Sequence, residues 1–174
     1  AARIITILFQ DPSLGADLRS ALTTSSDPKT LKAVMIALGS KEMNPDLNQE
    51  FFVDYLKHED PEIKVLSILC LSHCNEANLY TLLKETIKDS EGSVSIAAMN
   101  ALMDAPLEDA PTGELVSYLE DVLVSTDSVI RKAAFDLLGH AGNEDDFEPA
   151  LAMLGKALSG TDTIRREAVA EALG

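Results

Sequence analysis

The chain has 174 residues and a formal charge of −15, from 29 acidic against 14 basic side chains; 46% of it is hydrophobic, with 5% aromatics and no Trp. Acidity on this scale excludes the basic stripe that releases counterions from nucleic-acid phosphates and disfavours an anionic membrane surface. No apolar run approaches the ~20 residues needed to cross a bilayer, so membrane insertion is not expected. The N-terminus, Ala1-Ala2-Arg3-Ile4-Ile5-Thr6-Ile7-Leu8-Phe9-Gln10, is too short and wrongly flanked for a signal peptide. Cys70 and Cys74 offer no disulfide framework, which points to a reducing, cytoplasmic setting.

In chain order, Ala1–Ile5 aligns with Ala97–Ala101, so the chain is expected to open midway through a helix. After it come five segments, each beginning with an acid and ending twelve positions later in a small or apolar residue: Asp27–Gly39, Asp60–Ser72, Glu91–Met103, Asp127–Gly139 and Asp162–Gly174. Their starts are 33, 31, 36 and 35 residues apart. Inside them apolar residues recur at i, i+3, i+4, i+7 and i+8, as in Ile130, Ala133, Ala134, Leu137 and Leu138, the pattern of a helix with one buried face. Ile63, Leu66, Ser67, Cys70 and Leu71 follow the same register, as do Val94, Ala97, Ala98, Ala101 and Leu102. Each segment is preceded by a helix with a bulkier stripe, placed at about 14–24, 47–57, 77–88, 113–125 and 147–158. Gly and Pro between them, as in Gly39-Ser40, Ala105-Pro106 and Gly139-His140-Ala141-Gly142-Asn143, stop the helices.

A period of roughly 30–40 residues is the signature of a solenoid, whose helical unit cannot bury its apolar face alone. The expected fold is all-α: a right-handed superhelix of about five stacked antiparallel helix pairs forming one segment over 1–174. Its repeats fall at approximately 11–40, 41–75, 76–105, 106–141 and 142–174. Neither end shows a polar capping face, so the segment reads as part of a longer array.

Asp127-Ser-Val-Ile-Arg131-Lys-Ala-Ala134-Phe-Asp-Leu-Leu-Gly139 and Asp162-Thr-Ile-Arg-Arg166-Glu-Ala-Val-Ala-Glu-Ala-Leu-Gly174 resemble the HEAT repeat family, in particular the short repeats of phycobilisome lyases. Gly139-His140-Ala141-Gly142-Asn143 is similar to that family's link between repeats. The resemblance implies armadillo-like stacked helix pairs whose second helices line a face that binds a partner. It also implies a ladder between repeats, built from the turn acids Asp27, Asp60, Glu91, Asp127 and Asp162 and from the bases Lys64, Arg131 and Arg166, with Leu31 and Ser95 interrupting it. Independently of any family, an acid just before a helix caps it and complements its dipole.

Chemistry-bearing patterns are sparse. Cys70-Leu71-Ser72-His73-Cys74 offers at most two metal ligands on one helix face, short of the four normal for zinc. His58-Glu59 is a single pair standing ahead of its helix, whereas the HEAT-like di-iron hydroxylases need several on second helices. Asn143-Glu144-Asp145-Asp146 lacks the alternation and glycine of a calcium loop. There is no phosphate-binding Gly-rich loop and no assembled nucleophile, so neither catalysis, nor a metal, nor a cofactor is expected. The expected function is a non-catalytic scaffold for a protein or peptide, docking beside Lys132, Arg165, Arg131 and Arg166; a bilin lyase or lyase-like factor, implied by the resemblance, is the alternative.

Overall fold

The computed structural model describes residues 12–39, 50–74, 79–89, 91–103, 114–141 and 144–173. Among them all regular structure is helical. The chain divides into two compact units, residues 1–76 and 77–174.

The first unit holds α1 (Pro12–Thr24), α2 (Pro28–Leu38), α3 (Glu50–Val53, drawn on into a 3-10 turn Asp54–Lys57) and α4 (Pro61–His73). Proline opens α2 and α4, where its missing N–H costs nothing, and Asp27 and Asp60 cap them from extended backbone. Consecutive helices pair, α1 with α2 and α3 with α4; then α1 touches α3 and α2 lies along α4. Leu22, Met35, Leu38, Phe52, Ile63, Ile68 and Leu71 are fully buried between them. Each such side chain contributes roughly 1.5–3 kcal/mol relative to exposure.

The second unit holds α5 (Leu79–Leu83, with a 3-10 turn Lys84–Lys88), α6 (Gly92–Met103), α7 (Glu114–Leu123), α8 (Ser128–Ala141), α9 (Glu144–Ser159) and α10 (Thr163–Leu173). Again successive helices pair, with odd helices against odd (the turn after α5 on α7, then α7 on α9) and even against even (α6 on α8, α8 on α10). Ala98 and Ala134 lie fully buried on α6 and α8. Side chains this small let helix axes approach closely.

Five details differ from the sequence reading. Leu66 and Ala97, expected in the core, are half-buried. Leu151 and Leu158, on the apolar stripe of α9, are exposed. Helix α8 runs through Gly139 to Ala141 instead of stopping at the glycine. The first helices at 47–57 and 77–88 tighten into 3-10 turns, and there buried serines take their carbonyls: Ser67 Oγ donates to the Phe52 carbonyl at 2.7 Å and Ser95 Oγ to that of Ile87 at 2.6 Å. Fifth, the 3-10 segments leave α3 and α5 only four and five residues long. The opening helix aligned at Ala1–Ile5, the Ala105-Pro106 link and Gly142-Asn143 lie outside the described residues.

Candidate interaction face

Each even helix starts at an acid, and the acids do not behave alike. The Asp27 carboxylate accepts from the Thr30 amide at 3.0 Å and its hydroxyl at 2.7 Å, which holds the Asp27 carboxyl below the ordinary 3.8. Asp60 accepts from the Glu62 amide, Asp127 from Val129 and Ile130, and Asp162 from Ile164. At α6 the cap work shifts by two residues: Asp89 accepts the Glu91 amide, and Glu91 supplies its backbone carbonyl to Val94 and Ser95.

In the first unit the ion pair that joins α2 to the start of α4 comes from Lys32, one residue beyond Leu31. Its ammonium meets Asp60 Oδ2 at 2.8 Å and also Glu62. The Asp60 carboxylate, chiefly through its bond from Lys32, is lowered, and Lys32, chiefly through Asp60, is raised. Lys64 is half-buried.

Of the four cations expected to greet a partner, the structure separates the set. Arg131 is buried: its guanidinium donates to the Ser125 carbonyl at 2.7 Å, so it braces the turn before α8 and is withdrawn from the surface. Lys132 is exposed but tied to Asp136 one turn on, which neutralises part of its charge. Arg166 is exposed on α10; Arg165 lies on the same helix, and only its backbone is described. Sequence reasoning missed the apolar component. Val129 and Ile164, each two residues beyond its turn acid, are exposed at corresponding positions of α8 and α10. The signal was available: both residues fall off the core stripe of their helices, where a polar residue is the norm.

Two open clefts lie on the turn side of the second unit. The larger, about 300 Å³, is bounded by Glu120, Asp121, Lys156 and Asp162 over Val124 and Ala157. The smaller, about 200 Å³, lies between Asp89, Ser95, Asp121 and Ile130. Cys70 is buried, bonded to the Met35 carbonyl, and its thiol is pushed up to about 12 by burial; Cys74 bonds back to the Cys70 carbonyl. A thiol held protonated is a poor nucleophile and metal ligand. His58 Nδ1 accepts the Asp60 amide and so belongs to the turn. Among the described residues no three His, Cys, Asp or Glu side chains converge as a metal site, and no helix is long and apolar enough to cross a membrane.

No protein-family profile matches the chain, and no curated protein does. It is similar to a crystal structure of an engineered protein from the Northeast Structural Genomics Consortium, at 21% identity and a TM-score of 0.57, over 90% of this chain and 78% of that one. At such identity the likeness speaks to the all-helical fold alone.

Proposed function

We propose that the protein is a non-catalytic scaffold of HEAT-like repeats: a right-handed α-solenoid of antiparallel helix pairs whose even helices present a docking face for a protein or peptide. The observation that carries this reading is the repeated exposure of Val129 and Ile164 at one register of successive even helices, with exposed Lys132 and Asp136 one and two turns beyond Val129 on the same face of α8. Exposed apolar side chains ringed by charge are what a partner-binding surface offers. The odd-on-odd and even-on-even packing within each unit supports the stacked-pair arrangement.

The experiment is a double reversal, Lys132→Glu with Arg165→Glu, compared with the parent chain in affinity capture and then in titration against the captured partner. Binding should weaken by tenfold or more, in the range seen when interfacial charges are reversed, roughly 1.4 kcal/mol per decade. Circular dichroism and melting should stay at parental values. A partner that binds the reversed protein as tightly as the parent moves the docking site off this face.

A further inference from the structure

The two clefts on the turn edge of the second unit recur with the helix pairs. Asp121, Val122 and Ser125 line the smaller; 35 residues later Lys156, Ala157 and Gly160 line the larger. Lys88 and Val124, contributed by the preceding pair in each case, correspond as well, 36 residues apart. Asp121 borders both clefts, which makes them neighbours. The smaller lies between α5–α6 and α7–α8, with α9 and α10 packed beyond, so a cleft of this kind stays open with helix pairs on both sides of it.

Charge and shape together select the occupant. In the larger cleft Val124 is buried and Ala157 half-buried, while Glu120, Asp121 and Asp162 stand exposed around them with Lys156. Asp162 accepts from the Ile164 amide, and a carboxylate has room for further donors. Residues 77–174 hold 18 of the 29 acids and 7 of the 14 bases, so the surroundings attract a cation too. We propose that this edge binds an extended basic segment of a partner protein, with an arginine or lysine stem laid on Val124 and Ala157 and its cationic head among Glu120, Asp121 and Asp162. Long basic side chains bury their stems in this way while the charge stays at a polar rim. Neighbouring helices pack about 8–10 Å apart, and a polyproline-type segment sets every third side chain about 9 Å further along the same side. A second base three residues away therefore reaches Asp89 and Asp121 in the smaller cleft. An acidic partner is repelled, and so is a second copy of a chain carrying −15. Val129, Lys132 and Ile164 line neither cleft, so this edge is separate from the even-helix docking face.

The probe is a fluorescent peptide of three Arg-Pro-Pro triplets, titrated against the full chain by anisotropy at low salt. Beside it run a Gln-Pro-Pro analogue and an isomer with its arginines clustered at one end. The triplet peptide should bind saturably and more tightly than either control. Glu120→Gln with Asp121→Asn should weaken it about fivefold or more, the worth of one or two exposed ion pairs. Asp54→Asn with Glu148→Gln, exposed acids outside the clefts, should leave it within about twofold. Lys156→Glu, which gives the larger cleft another acid, should tighten it, a gain that damage to the fold cannot imitate. Absence of saturable binding overturns the proposal. So does equal weakening by the two neutralised pairs, or equal affinity for the clustered isomer, since either leaves only the attraction of an acidic chain for any cation. Self-association of the chain that Glu120→Gln with Asp121→Asn abolishes assigns the edge to a second copy and overturns it as well. Lys132→Glu with Arg165→Glu should not weaken the peptide, so the docking-face experiment can fail independently.

Discussion

In the first unit the joint between successive helix pairs is stitched by polar groups reaching across it. Tyr55 donates to the Leu22 carbonyl at 2.6 Å, Cys70 to that of Met35, and Lys32 joins the even helices through Asp60 and Glu62. In the second unit the polar links gather on the odd helices: Lys84 meets Glu114 at 3.1 Å, Tyr118 donates to Glu85, and Lys84 and Lys88 each sit 5.3 Å from the Tyr118 ring. Its last joint is apolar, made by Val124, Leu154 and Val169. Neighbouring helix pairs in the two units therefore meet in the same order but hold by different chemistry.

The comparison breaks most forcefully at the apolar joints of the second unit. Replacing Ala134, fully buried on α8, with Lys would bury an unpaired charge and cost on the order of 3–5 kcal/mol. Amide exchange in α6, α7 and α8 should accelerate; a variant that melts with the parent would refute the assigned register of α8.

A middle-sized effect tests the device both units share. Ser67→Ala and Ser95→Ala each leave a buried carbonyl, of Phe52 and Ile87, without its hydroxyl donor. Each should cost about 1–2 kcal/mol. In urea the midpoint should fall at an unchanged slope, and by similar amounts in the two units.

The smallest effect sharpens the contrast at the charged rung. Asp60→Asn keeps the cap, since Asn caps as well as Asp, but removes the carboxylate from Lys32. Asp60 is lowered from 3.8 and Lys32 raised from 10.5, so the pair contributes fully between those values. Its contribution is lost as pH falls through the depressed Asp60 value, or rises through the elevated Lys32 value. The melting gap between parent and variant should thus be widest near neutrality, close below pH 3.8, and shrink in high salt.

These three sites also show what was legible in the sequence. The starts of α2, α4, α8 and α10 could be read from Asp27, Asp60, Asp127 and Asp162, because capping is local and needs only the next three residues. The burial of Ala98, Ala134 and Leu137 followed from helical period alone. The fate of Arg131 was illegible, since the i+4 spacing that suggested a ladder says nothing of the Ser125 carbonyl to which its guanidinium turns. Lys32 was passed over for a similar reason: its partners lie about 30 residues away, and only folding shows that a long side chain displaced by one position still spans the gap. The 3-10 turns after α3 and α5 depend on serines from the following helices, and no local pattern announces them.

Cys70 and Cys74 make the first unit its own stopwatch. Both thiols are buried, and Cys70, at about 12, is protonated throughout the neutral range. A thiol-reactive reagent can reach Cys70 only when α2 and α4 part or the chain unfolds, and the thiolate forms only then. With reagent in excess, labelling kinetics report how often that seam opens; with reagent scarce, they report the fraction of molecules in which it is open. The acid-to-amide change at Asp60 should therefore quicken the clock, although no cysteine has been touched.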